Sequence, residues 1–169
     1  MLKIYQTNPY ATFPKFATKQ SACFDISACI REQDILVYGP YTEKKIFNAN
    51  FGEPYTFTLL PTQRAAIPTG LILDIPEGHS VRLHPRSGLA LKSGITMTNC
   101  EGIIDSDYTD ELKIILTNTG VEPFVISHGD RICQAELVKN LDYTLEPCYT
   151  APKQKTDRNG GFGSTGVSI

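Results

Sequence analysis

The sequence predicts an all-β fold of the sandwich, jelly-roll or barrel kind. Three observations carry this reading. Short apolar or alternating runs follow one another along the 169 residues, and glycines and prolines separate them at frequent intervals. No long segment repeats with a helical period, so many short strands joined by turns are expected.

From Met1 to the Gly-rich end, the elements justify themselves as follows. The stretch from Arg31 to about Pro61 is polar, contains "YGPY" and "NANFGEPY", and reads as a long loop or hairpin. "YTFTLL" (55–60), "GLILDI" (70–75) and "HSVRLH" (79–84) are rich in β-branched, aromatic or alternating residues and read as strands. "SGLALKS" (87–93) reads as one short helix, with Ser87 as its expected N-cap. "ELKIILTN" (111–118), "PFVIS" (123–127) and "RICQAELV" (131–138) complete the strands, with glycines at 70, 78, 94, 120 and 129 marking turns. The last part, "APKQKTDRNGGFGSTGVSI", is too polar to bury a core and reads as a flexible arm. The domain reading is therefore a β-rich core over 1–150, with a long polar insertion at 31–61, and an arm over 151–169.

Composition narrows the function. A net charge of −2 argues against a surface built to hold nucleic acid. No apolar stretch approaches a membrane span, and "MLKIYQTNPY" has no secretory apolar region, so no membrane, no export and a cytoplasmic location are expected. For a viral chain the location would be the host cytoplasm or nucleus. Five cysteines without a C-x-x-C pair read as reduced thiols, and three histidines without a ligand spacing give no zinc motif.

Four stretches can carry chemistry. "GIIDSDYTDE" (102–111) sets a dense acidic patch against Ile103 and Ile104, which read as buried strand. Strand alternation would send Asp105 and Asp107 to one side. "PRSGLA" (85–90) offers a guanidinium, a hydroxyl and backbone N–H groups to an anion, or else is a plain capped helix. "GDRICQAEL" (129–137) reads as turn then strand, with Asp130 and Arg131 a candidate turn pair. "RNGGFGSTG" (158–166) combines a guanidinium, glycines and one aromatic, which suit a wrap around a phosphorylated base, although the composition alone also fits a linker.

Together with "SACFDIS" (21–27) and "NCEGIIDSDY" (99–108), these stretches stand in an order that resembles the trimeric all-β dUTPases. The resemblance implies a jelly-roll-like dUTPase fold and hydrolysis of dUTP to dUMP and pyrophosphate, which keeps uracil out of DNA and supplies dUMP. It implies that Asp105 orients and deprotonates the attacking water. It implies that Mg²⁺ rides mainly on the triphosphate and is reached by Asp25 through water. Arg86, Ser87, Gly88 and Gln134 would contact phosphates, with Lys113 among the substrate contacts. Asn99, Gly102, Ile103 and Ile104 would line the uracil pocket in a β-hairpin, and Tyr108 would lie flat on the deoxyribose. Arg158, Phe162 and Gly163 would close the arm over the γ-phosphate and uracil. The implied assembly is a homotrimer with shared active sites.

The chain departs from the family pattern in four places. Cys23 and Asp110 stand where glycine is usual, "RNGGFG" is one residue short, and the connection from Asp25 to "IPTG" (67–70) is long. The extra length suits either a partner-binding arm or an elaborated edge hairpin. Two other functions fit the same residues: a dCTP deaminase or bifunctional deaminase–dUTPase using Glu101, and a nucleotide-gated protein-binding role through 31–61.

Overall fold

Residues 1–40, 42–48, 54–157 and 160 are described in a computed structural model. The alternation read from the sequence becomes alternate burial. Along Lys113–Asn118, Ile114, Leu116 and Asn118 are buried while Lys113 and Ile115 face out. Each fully buried isoleucine or leucine contributes about 1.5–3 kcal/mol.

In chain order the described strands are β1 (Lys3–Gln6), β2 (Lys15–Phe16), β3 (Phe24–Ser27), β4 (Asp34–Gly39), β5 (Thr42–Asn48), β6 (Thr56–Leu59) and β7 (Arg64–Pro68). They continue with β8 (Leu71–Asp74), β9 (His79–His84), β10 (Ile95–Met97), β11 (Gly102–Ile104), β12 (Lys113–Asn118), β13 (Phe124–Ser127) and β14 (Arg131–Lys139). The helix α1 spans Ser87–Ser93, between β9 and β10. One five-stranded sheet runs β10-β12-β7-β4-β5 and the other β11-β9-β14-β3-β2, and every pairing is antiparallel. The pairs β1-β8 and β13-β6 complete the set. Ile26, Leu83 and Ala135 from one large sheet share a single core with Ile35, Ile67 and Ile114 from the other. The Cys133 and Met97 sulfurs meet between the sheets at 3.6 Å. The all-β expectation, the single short helix and the strands from Thr56 onward hold.

Several local expectations change. Of the two readings of 31–61, a long loop or a hairpin, the described residues take the hairpin. β4 lies between β7 and β5, and its Ile35 and Val37 are buried. The elaboration is an edge hairpin, β4–β5, whose inner strand reaches the core. Ile103 is not buried but 52% exposed. β11 is an edge strand whose core-facing position belongs to Gly102, where a Cβ would come 3.1 Å from Leu83 Cβ and 3.3 Å from Met97 Cε. Alternation then turns Ile103 outward. Ser87 is not the N-cap. Arg86 holds that position with an extended backbone, and among the described residues no side chain caps the helix. Gly102–Ile104 is not half of a local hairpin either. β10 pairs with β12 and β11 pairs with β9, so residues 95–104 cross from one sheet to the other.

Candidate active site

One face of the β11-β9-β14-β3-β2 sheet gathers the predicted phosphate-side residues. The register places Asp25 opposite Gln134, and Gln134 opposite His84. Phe24 and Ile26 point into the core, so Asp25 between them points out. Arg131 Nη1 donates to Asp25 Oδ2 at 2.9 Å. Arg86 Nε lies 3.7 Å from Asp25 Oδ1. Arg86 Nη1 also donates to the Arg131 backbone carbonyl at 2.6 Å, which closes a ring of three residues. The Asp25 side chain is only 10% exposed, and its Oδ1 is buried with no hydrogen-bond partner among the described residues.

Arg86 is delivered to this ring by the break after β9. Pro85 cannot continue the ladder, and the Arg86 carbonyl accepts the N–H groups of Leu89 and Ala90 as α1 begins. Ser87 and Gly88 follow and are exposed. A Cβ at Gly88 would meet nothing within 4 Å among the described residues. Arg86, Asp130 and Arg131 border a cavity of about 230 Å³.

The acidic patch is built differently. Asp105 through Tyr108 form a turn, with Tyr108 N–H donating to the Asp105 carbonyl at 3.2 Å. Strand alternation therefore does not apply to Asp105 and Asp107. Asp105 is exposed, and no hydrogen bond or ion pair reaches its carboxylate among the described residues. Burial first, then the charges of Asp110 and Glu111, push the Tyr108 hydroxyl pKa up, so it remains a proton donor into alkaline solution. Asn99 is exposed in the crossing segment. Lys113 is exposed at the start of β12, with Nζ 4.0 Å from Glu111.

The two groups do not meet within one chain. Ile104 pairs with Val81, so Asp105 follows at the N-terminal end of β9, beside Ser80. Arg86 leaves the opposite end of the strand. The separation is about six residues, or about 20 Å at strand rise. Between the ends, Arg82 Nη1 is 3.3 Å from Glu101, and His84 lies 3.1 Å from Glu136 and 3.8 Å from Glu101.

Arg131 is the residue the sequence reading missed. Its expected partner Asp130 instead accepts Ser127 N–H at 2.8 Å. The true partner, Asp25, is 106 residues away and becomes visible only through the β14–β3 register. Arg158, Phe162 and Gly163 lie outside the described residues. Among the described residues no three potential metal ligands gather. The orphaned Asp25 Oδ1 nonetheless suits a hydrogen bond from a metal-held water better than direct ligation beside two guanidinium groups. Burial raises the Cys133 thiol to about 12 and the Cys29 thiol to about 11. Cys23 is also raised, by burial and then by Glu136 and Asp25. None of these three suits thiolate chemistry.

Comparison with known proteins gives a consistent result. Residues 51–166 match the dUTPase family model. A deoxyuridine 5'-triphosphate nucleotidohydrolase of Finegoldia magna is 42% identical over 154 residues, covering 90% of each chain. The Rhizobium johnstonii protein of the same name is 47% identical over 68% of this chain and 73% of its own. Among solved structures, a mutant dUTPase of Staphylococcus bacteriophage 80alpha with dUpNHpp superposes with a TM-score of 0.75 at 21% identity, covering 99% of both chains. A mutant dUTPase from phage phi11 of S. aureus, described as coordinating a structural Mg(II) ion, gives 0.68 at 20% identity over 89% of this chain and 97% of that one.

Proposed function

The chain belongs to the dUTPase family, and on that premise we propose that it hydrolyses dUTP to dUMP and pyrophosphate by attack of water on the α-phosphorus. The observation that carries the reading is the pair of half-sites on one sheet. Arg86, Gln134 and Asp25 form an ordered phosphate-side cluster, and Asp105 with Tyr108 forms an exposed acidic turn.

The proposed roles follow from that chemistry. Asp105, with no partner competing for its carboxylate among the described residues, accepts a proton from the attacking water. Arg86 holds phosphate oxygens, and the exposed backbone at Ser87 and Gly88 lets the ligand approach closely. Mg²⁺ bound to the triphosphate would neutralise charge and fix geometry, with Asp25 reaching it through water. Backbone groups of Gly102–Ile104 and the Asn99 side chain read uracil, and Tyr108 covers the deoxyribose. Lys113 and Gln134 add polar contacts. Arg158, Phe162 and Gly163 close from the C-terminal arm. The reaction would limit uracil in DNA and supply dUMP where the deoxynucleotide pool lies, the cytoplasm.

The separation along β9 supports a homotrimer with shared sites. A phosphate cluster from one chain would face the Asp105 turn of a second and the arm of a third. Exposed Leu141, Tyr143, Leu145 and Tyr149, on a stretch with no strand partner among the described residues, add apolar surface for such an assembly.

Assay of dUTP, dCTP, dTTP and UTP with Mg²⁺, following pyrophosphate and ammonia, tests the activity. Pyrophosphate from dUTP alone is expected. Ammonia from dCTP would instead favour the deaminase reading, whose candidate Glu101 is engaged by Arg82 and His84. Shared sites are tested by refolding Asp105→Asn together with a chain truncated after Asp157. Random mixing should restore about a quarter of the sites, since intact turn and intact arm each come from half the chains. Zero recovery in demonstrated mixed trimers would refute sharing.

A further inference from the structure

Tyr108 is held from a part of the fold that the motifs do not include. Its hydroxyl donates to the Glu111 carbonyl at 3.1 Å. The Glu111 carboxylate, 19% exposed, accepts the Gly70 N–H at 2.7 Å. Leu112 N–H donates to the Leu71 carbonyl at 2.8 Å, and Thr69 Oγ1 donates to the Leu112 carbonyl at 2.6 Å. Residues 111 and 112 are thus stitched to the turn at 69–71.

That turn has little freedom of its own. Gly70 has φ +67, and a Cβ there would sit 2.8 Å from Ala11 Cβ and 3.1 Å from Cys29 Sγ. Thr69 is fully buried, and the Gly70 carbonyl accepts Thr7 N–H at 2.8 Å. A rigid point in the core therefore fixes the backbone acceptor on which the exposed tyrosine rests. Tyr108 has two ring torsions to settle, and its backbone N–H is held within the turn by the Asp105 carbonyl.

We propose that Glu111 is the positioning residue for sugar selection: by accepting the Gly70 N–H it fixes the carbonyl that aims the Tyr108 ring. The inference rests on the dUTPase reading, in which that ring excludes a 2′-hydroxyl. Glu111 touches no substrate in this account. Its carboxylate needs only to accept a hydrogen bond, so a glutamine can replace it and an alanine cannot.

The test measures kcat/KM for dUTP and for UTP on the full chain with Mg²⁺. Glu111→Ala should lower the dUTP/UTP ratio roughly tenfold, the scale of one lost hydrogen bond at a specificity contact. Glu111→Gln should keep the ratio within about twofold of the unaltered chain. General loss of stability would depress both substrates alike and leave the ratio in place. A folded Glu111→Ala chain with the original ratio overturns the proposal. Should Glu111→Ala fail to fold, Tyr108→Phe removes only the hydroxyl at an exposed position. A fall in its ratio supports the link, and an unchanged ratio overturns it. Failure of the underlying reading looks different: the unaltered chain would then release no pyrophosphate from dUTP, which overturns both.

Discussion

At the C-terminal end of β9, Arg86 sits in a ring with Asp25 and Arg131 that joins residues 106 positions apart. At the N-terminal end, Asp105 sits in a four-residue turn with an exposed carboxylate. The first end is fixed before any ligand arrives, because the sheet register sets it. The second leaves the Asp105 carboxylate, the proposed base, exposed, and is tied to the core through Tyr108 and Glu111. A group that holds phosphate gains from preorganisation, whereas a group that takes a proton must not be occupied by another partner.

Four substitutions press on this contrast. The largest effect is expected from Asp105→Asn, which should lower kcat by ~10²–10⁴ while leaving the melting temperature unchanged. A melting shift of several degrees would show that the turn is structural after all. Arg86→Gln comes next. It should weaken kcat/KM for dUTP by roughly 10–100-fold, as loss of a charge-assisted phosphate contact does. It should also lower the melting temperature, because the ring with Asp25 opens; normal melting would mean that the ring holds nothing. Gly102→Ala is expected to cost about 1–3 kcal/mol in chemical denaturation, through contact with Leu83 and Met97. Wild-type stability there would mean that β11 can move off the core at little cost. The smallest effect belongs to Arg131→Gln. With Arg131 54% exposed, losing the Asp25 pair should cost about 1 kcal/mol or less. A larger loss would make this pair, rather than Arg86, the centre of the cluster.

What the sequence made legible follows from how local each feature is. "SGLALKS" became α1 with the expected bounds, closed at Gly94, whose N–H donates to the Ala90 carbonyl. "HSVRLH" became β9 because its alternation is self-contained. β7 was not read from "RAAIP", since two alanines have little strand preference; pairing with β4 on one side and β12 on the other makes it a strand. β10 is only three residues long and falls below any periodicity. Within the site, the motifs pointed to Asp25, Arg86, Asp105 and Tyr108. The sheet change between Met97 and Gly102, the Arg131 pair and the Glu111–Gly70 bond each depend on a distant partner, so nothing nearby in the chain announces them.

The span of β9 between Asp105 and Arg86 also bears on how the rate scales with the amount of protein. A chain that completed its own site would lose activity on dilution only in proportion to its concentration. A chain that lends one half-site and borrows another is governed by mass action, and far below the assembly constant trimer varies with the cube of free chain. Under the proposed shared-site trimer, specific activity should collapse across a narrow dilution range and return with a lag on reconcentration. The lag would time the meeting of chains rather than any step of the chemistry.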